Sequence, residues 1–308
     1  MVDLSIIIPV FNAEKYLKRC LESVAVALDS ISSEIIIVDN NSTDSSMDIV
    51  KQYSGRTIIK IVRCTKPGAA AARNAGVKIA RGKYIWFVDA DDTISKNSAQ
   101  KLLSTAKKTN ADLVMLGMKR QYADGHTDYL SAVRSDESNY KSRFVRYGMG
   151  PVQLLIRRTW WQENNFKFRE GIIHEDMELM SALILYTDKY AAVDEPLYIY
   201  YQNKDSVLHK TTWDEHYFDI FEALECLHKR FKNAQQDMVF HDELEWFFIW
   251  NLLIDSARDF QKFPEGKCGL QKSRQLLKKY YPNWYKNRFL RQKPLKLRIK
   301  VLLNYFAR

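Results

Sequence analysis

Tyr84-Ile85-Trp86-Phe87-Val88-Asp89-Ala90-Asp91-Asp92 is the stretch on which the fold turns. A short continuous apolar run is the pattern of a strand buried on both faces. This one passes directly into three carboxylates within four residues. Acids so close repel one another, and the arrangement is costly unless a cation neutralises it. Hard divalent cations take oxygen ligands and bridge protein carboxylates to phosphates. The plainer reading is a solvated turn with Asp92 capping the helix that starts at Ser98. Its position at the end of a hydrophobic strand favours the cation.

Working outward, the same pattern recurs upstream. Leu4 to Val10 and Glu34 to Val38 are further buried strands, the second ending at Asp39, and Ile58 to Val62 is a third. Between them Ala13 to Leu28 repeats apolar residues at helical spacing, Ser45 to Tyr53 follows the polar turn Asn40-Asn41-Ser42-Thr43-Asp44, and Gly68 to Ala80 is an Ala-rich helix. Downstream come a helix over Ser98 to Thr109 and a strand over Asp112 to Gly117. Strands hydrophobic on both faces, alternating with helices, give an α/β fold with a parallel sheet between helical layers. Ligands bind such sheets beyond the carboxyl ends of the strands. Pro9 to Asn12, Asp39 and Asp89 to Asp92 lie there.

From about Thr212 the alternation stops. Trp213 to Phe231, Asp242 to Phe260 and Lys272 to Tyr280 read as helices. The expected division is 1–210, with halves of about 1–117 and 118–210, followed by a helical region over 211–308. A chain of 308 residues with 46% hydrophobic and 27% charged residues suits such an arrangement, and 11 Gly and 7 Pro exclude a collagen-like or low-complexity protein. The four Cys, at 20, 64, 226 and 268, form no CxxC or Cys/His ligand cluster, which points to a reducing compartment. No basic n-region opens the chain, so no secretory signal is expected. The nearly pure apolar run Trp246 to Ile254 is too short to span a bilayer.

Several other residues carry chemistry. Asp39 offers an acceptor for a nucleobase imide N–H, or caps an Asx turn over Asn41-Ser42-Thr43. In Lys66 to Gly76, small residues let a helix N-terminus approach a diphosphate, and Arg73 supplies a bidentate fork; a tightly packed helix with a salt bridge is the alternative. Glu175 and Asp176, after His174, open an apolar helix. A carboxylate there serves as a general base or simply suits the helix dipole. Trp160 and Trp161 offer faces for sugar rings, though Trp in a core is commoner. His209 is a metal ligand, a phosphate contact or a surface His.

In this order, Ser5-Ile6-Ile7-Ile8-Pro9-Val10-Phe11-Asn12, Ile37-Val38-Asp39 with Ser42 and Asp44, Gly68 to Gly76, Phe87 to Asp92, and Glu175-Asp176 resemble the family-2 inverting glycosyltransferases with a GT-A fold, over residues 4 to 209. The resemblance implies a UDP-sugar pocket of Pro9, Val10, Phe11, Asn12, Asp39, Lys66, Arg73, Asp89, Ala90 and Asp91. It implies Mn2+ or Mg2+ on Asp91, with Asp89 near the donor ribose and sugar and a second candidate ligand; His209 is a further candidate from its position alone. Asp176 would be the catalytic base, with Glu175 supporting it or binding the acceptor, and Trp160, Trp161 and His174 would meet the acceptor. Two departures stand out. Asn40-Asn41-Ser42 replaces the Asp-Gly-Ser of many relatives, and Asn41 is expected to keep the turn because Asn tolerates positive φ next best to Gly. Gln202 and Asn203 stand where many relatives carry an Arg.

Charge is uneven. Residues 262–308 hold 14 Lys/Arg and one acid, while the rest holds 33 Lys/Arg against 36 acids. A basic tail implies an anionic partner surface. As a helix, Pro294 to Phe306 sets Leu295, Ile299, Leu302, Leu303 and Phe306 on one side, with Lys296, Lys300, Asn304 and Arg308 on the other; Leu297 and Val301 blur the pattern. Such a segment suits the interface of an anionic membrane, and packing on its own domain is the alternative. The expectation is a cytoplasmic enzyme, peripheral at the inner face of the cell membrane. It would use a lipid-linked saccharide acceptor in bacterial surface polysaccharide synthesis, with no nucleic-acid partner. Rival readings are a sugar-phosphate nucleotidyltransferase, whose Gly-rich loop after the first strand is absent, and a nucleic-acid binder using the tail with its Tyr280, Tyr281 and Trp284. Sugar, linkage and oligomeric state cannot be read from the sequence.

Overall fold

The computed structural model describes residues 2–53, 59–132, 140–202 and 212–306. In chain order its first elements are β1 (Leu4–Val10), α1 (Leu17–Ala27), β2 (Ser33–Asp39), α2 (Ser46–Gln52), β3 (Ile59–Arg63), α3 (Ala69–Ile79), β4 (Tyr84–Phe87), β5 (Thr93–Ile94) and α4 (Ser98–Thr109). There follow β6 (Leu113–Gln121), β7 (Thr127–Leu130), α5 (Tyr140–Tyr147), β8 (Leu154–Arg157), α6 (Arg158–Glu163), α7 (Glu175–Met180) and β9 (Tyr190–Tyr201). The last are α8 (Asp219–Asn233), α9 (His241–Trp250), α10 (Ser256–Lys262), α11 (Lys267–Tyr280), α12 (Arg288–Arg291) and α13 (Leu295–Phe306).

These elements form two units, one of residues 1–137, 150–171 and 187–206, the other of 138–149, 172–186 and 207–308. The sequence reading kept Glu175 and Asp176 with the first 210 residues, whereas the segment that carries them packs within the second unit.

The first unit is built on a sheet of order β3-β2-β1-β4-β8-β6-β9-β5, with β7 beside β6. The strands that alternate with helices in sequence, β3, β2, β1 and β4, are parallel. Beyond them the sheet is mixed: β8 enters antiparallel between β4 and β6, and β6 pairs parallel with β9. That half was not legible as alternation, because β8 is four residues long and its partners are remote in sequence. Register aligns Val10 with Asp39 and Asp39 with Arg63, so three strands end at one rim. One core cluster includes Ile6, Ile8 and Val10 of β1, Leu17, Leu21 and Val24 of α1, and Leu102 and Leu103 of α4. Ile7 points to the other face, where α3 lies so close that a Cβ on Gly76 would stand 2.4 Å from the Ile7 Cγ2. The missing side chain is what lets α3, and Arg73 on it, approach the strands.

The second unit is helical. A π turn at Asn251–Asp255 joins α9 to α10 within the stretch read as one helix from sequence. No helix among the described residues is long and apolar enough to cross a membrane.

Candidate active site

At the rim of the first unit the loops after β1 and β2 are stitched together. Asn12 takes φ 48° and its Oδ1 accepts from the Thr43 N–H at 2.8 Å. The Ala13 N–H donates to the Ser46 Oγ at 2.8 Å, and the Glu14 N–H to the Asp44 Oδ2 at 2.9 Å. In return Glu14 Oε2 accepts from the Ser45 N–H at 2.9 Å. Asp39 closes the Asx turn, its Oδ1 accepting from the Ser42 N–H at 2.9 Å. Among the described residues no donor meets its second oxygen, so the capping and nucleobase readings are compatible. Asn41 keeps the turn at φ 67°. Both asparagines also hold the loop after β3. The Asn40 Nδ2 donates to the carbonyls of Cys64 and Lys66 at 3.0 and 2.7 Å, its Oδ1 accepts from the Gly68 N–H, and the Asn41 Nδ2 donates to the Thr65 carbonyl. The departure from Asp-Gly-Ser thus gains these amide links. Phe11 is exposed, while Val10 and Ala90 are buried and reach the rim only through backbone.

The acid cluster resolves into distinct roles. Arg73, buried, donates from Nη2 to the Asp89 Oδ1 at 3.1 Å. Arg19 donates to the Asp91 carbonyl at 2.6 Å and stacks 3.5 Å above the Tyr201 ring. Asp92 is fully buried, accepting from the Tyr198 hydroxyl at 2.7 Å and from the Tyr201 N–H at 2.8 Å. Burial, reinforced by Asp89 and Asp91, pushes its carboxyl up to about 8. One of the three crowded acids is therefore relieved by burial, and it latches β9 to the end of β4. The Tyr198 hydroxyl also accepts from the Asp89 N–H at 3.1 Å. Asp89 and Asp91 stay partly exposed. Two rim carboxylates with a buried guanidinium behind one of them fit a hard divalent cation shared with a diphosphate.

Glu170 escaped the sequence reading. It accepts from the Asn74 Nδ2 at 2.8 Å and pairs with Lys66 at 2.5 Å, and these partners hold its carboxyl down at about 2. Asn74 also exchanges hydrogen bonds with the backbone of Phe168. The loop to Gly171 is thereby tied to α3 beside Arg73. An Asn one residue beyond the Arg was the only signal in the sequence.

The acceptor role expected of Trp160 and Trp161 does not survive. Both are buried, at 6% and 2% exposure. Their faces meet other rings: Trp160 lies 5.0 Å from Phe166, and Trp161 lies 5.6 Å from Phe166 and from Phe168. His209 lies outside the described residues.

In the second unit Glu175 and Asp176 begin α7, and both are partly exposed. His174 takes φ 67°, and burial pulls its imidazole below the usual range against the pull of Asp176, Asp219 and Asp259. Two contacts flank the acid pair in sequence. The Ile173 N–H donates to the Asp219 Oδ2 at 2.9 Å, and Arg230 holds the buried Glu178 at 2.9 Å. Asp219 and Arg230 both belong to α8, which explains why residues so distant in sequence were not linked to the pair.

The model of glycosyl transferase family 2 matches residues 5–163, which hold every element of the rim up to β8 and α6. The chain belongs to that family. This glycosyltransferase is 30% identical to the uncharacterized glycosyltransferase EpsJ of Bacillus subtilis, over 69% of its own length and 65% of EpsJ. It is 23% identical to the poly(ribitol-phosphate) β-N-acetylglucosaminyltransferase TarS of Staphylococcus aureus, over 82% of this chain and 45% of TarS. The chain thus spans less than two thirds of either relative. The crystal structure of TarS residues 1–349 with UDP-GlcNAc superposes with a TM-score of 0.79 at 20% identity, covering 99% of this chain and 89% of that one, which establishes the GT-A fold. The mannosyltransferase PcManGT of Pyrobaculum calidifontis, bound to GDP-Man and Mn2+, has a TM-score of 0.52 at 14% identity, covering 99% of this chain and 87% of that one. Family membership sets aside the reading as a sugar-phosphate nucleotidyltransferase.

Proposed function

We propose that this glycosyltransferase moves a hexose or N-acetylhexosamine from a UDP-sugar to a hydroxyl of a saccharide acceptor, with inversion. The acceptor is a lipid-linked saccharide of bacterial surface polysaccharide synthesis, met at the inner face of the cell membrane. The observation that carries this reading is the rim itself: Asp39 at the end of β2, and Asp89 and Asp91 beyond β4 with Arg73 behind them. The TarS complex with UDP-GlcNAc supports the donor class.

Asp39 receives the uracil N–H, and the loop of Pro9 to Asn12 lines the nucleoside. Asp91, with Asp89, holds Mn2+ or Mg2+, which when bound supplies positive charge beside the diphosphate. Lys66 and Arg73 add fixed cationic charge on that side. Asp176 accepts the proton of the acceptor hydroxyl. The hydroxyl oxygen bonds to the anomeric carbon as the bond to the diphosphate breaks, and UDP leaves with the electron pair. Glu175 orients the acceptor.

A panel of UDP-sugars with manganese tests the donor. One sugar should turn over, and Asp91→Ala should abolish both turnover and manganese-dependent UDP uptake in calorimetry. Asp176→Asn should lower kcat by about 10²–10⁴, the usual worth of a general base, with UDP affinity unchanged. Equal loss of both would make Asp176 structural, and full activity of Asp91→Ala would end the proposal.

A further inference from the structure

The C-terminal helix α13 shows one face to its unit and an opposite face to solvent. Val301 is fully buried. Asn304 is clamped, its Nδ2 donating to the Leu253 carbonyl at 2.7 Å and its Oδ1 accepting from the Gln261 Nε2 at 2.9 Å. Tyr305 lies 4.8 Å from the ring of Trp284. Leu297, also half-buried, belongs to this side. Leu297 and Val301 are the residues that blurred the amphipathic pattern in sequence, and Asn304, expected beside the cations, is instead buried on their side: together they form a second, inward face.

The other face is apolar and uncovered. Leu295, Ile299, Leu302, Leu303 and Phe306 are 40–70% exposed. At about 100° per residue they fill an arc of about 100°. On the same wheel that arc lies nearly opposite Val301 and Asn304. Exposed Lys296 and Lys300 flank it on one side and exposed Arg298 on the other. A stripe of about 17 Å bordered by cations has the form of a helix lying in a membrane interface. No helix among the described residues is suited to crossing a bilayer, so the stripe lies on the surface.

Charge selects the occupant. A second copy laid face to face on this helix would bring Lys296, Arg298 and Lys300 against their own counterparts, because α13 contains no acid. An anionic lipid surface meets the same three cations with complementary charge and takes the apolar stripe below its headgroups.

We propose that the outward face of α13 is a docking surface for an anionic lipid bilayer, with the apolar row inserted and Lys296, Arg298 and Lys300 on lipid headgroups. Docking there brings the enzyme to its lipid-linked acceptor, and in that respect it rests on the reading above.

Flotation of the full chain with phosphatidylcholine vesicles, with and without one third phosphatidylglycerol, tests it. The wild type should float with the anionic vesicles and far less with neutral ones. L302S/L303S/F306S should cut the bound fraction about tenfold or more, given the transfer free energy of three large apolar side chains. K296E/R298E/K300E should remove the preference for phosphatidylglycerol. All of these positions are exposed, so melting temperatures should stay close to the wild type. A wild type that stays unbound, or a serine variant that floats equally well, overturns the proposal. So does light scattering that shows a wild-type dimer made monomeric by the serine changes without altered flotation, since a second copy then covers the face. UDP-sugar hydrolysis on the same samples separates the two readings. Hydrolysis absent while flotation persists leaves the surface standing and removes the catalytic assignment, and hydrolysis without flotation does the reverse.

Discussion

Strand β2 carries a carboxylate near each end, and the two are treated in opposite ways. Near its start Glu34 is 1% exposed and saturated. It accepts from the Ser5 hydroxyl, the Lys60 ammonium and the Arg81 N–H, each at 2.6 Å. Burial opposes its charge, but the Lys60 and Ser5 hydrogen bonds, then the Arg81 N–H, win and hold the carboxyl below the usual range. At the far end Asp39 spends one oxygen on its own turn and keeps partial exposure. Both are acids on one buried strand, so residue type and strand context do not separate them. What separates them is the number of donors that tertiary structure brings to each. A saturated acid holds the fold, and an unsaturated one at the carboxyl rim is ready for a ligand.

Three substitutions break or sharpen this contrast. Glu34→Ala should have the largest effect. It strips the partners of Lys60, Ser5 and the Arg81 N–H together and should cost about 3–5 kcal/mol in urea unfolding, with kcat unchanged for the molecules that remain folded. A stable Glu34→Ala with poor kinetics would invert the assignment of the two ends. Asp39→Asn keeps an Oδ1 for the Ser42 N–H but removes the charge. UDP affinity by calorimetry should fall about tenfold, or about 1.4 kcal/mol, while the unfolding midpoint barely moves. A large loss of stability with UDP affinity intact would make Asp39 another Glu34.

Glu170→Gln should have the smallest effect, about 1 kcal/mol or less at neutral pH, because its partner Lys66 is mostly exposed. Its sign with pH is defined. The folded carboxyl sits at about 2, below its unfolded value, so its contribution is complete above about 4.5 and is lost as pH falls toward 2. The acid limb of the stability curve should flatten in Glu170→Gln, and an identical limb would show that Lys66 and Asn74 do not hold Glu170.

The parallel strands β1, β2 and β4 were legible because each holds a continuous apolar run, a pattern that survives without any partner. The carboxylates at their ends were legible for the same reason: a strand that stops announces where its next residue stands. Asp92 was legible as an acid but not in its role. Its partners Tyr198 and Tyr201 come from β9, more than a hundred residues away. Glu170, Asp219 and Arg230 were missed on the same ground, since each is tied to the site by a contact with a residue far along the chain. Trp160 and Trp161 show the converse: a ring's identity says nothing about whether its faces are already filled.

The sequence by itself determined the α/β half, the carboxyl rim and the outward stripe of the last helix, because periodicity and chain order are local properties. Tertiary structure alone decided which acid is buried under β9, which is saturated by Lys60, and on which side Val301 and Asn304 fasten α13. Those outcomes depend on donors and apolar surfaces supplied from remote segments, and a one-dimensional pattern does not contain them.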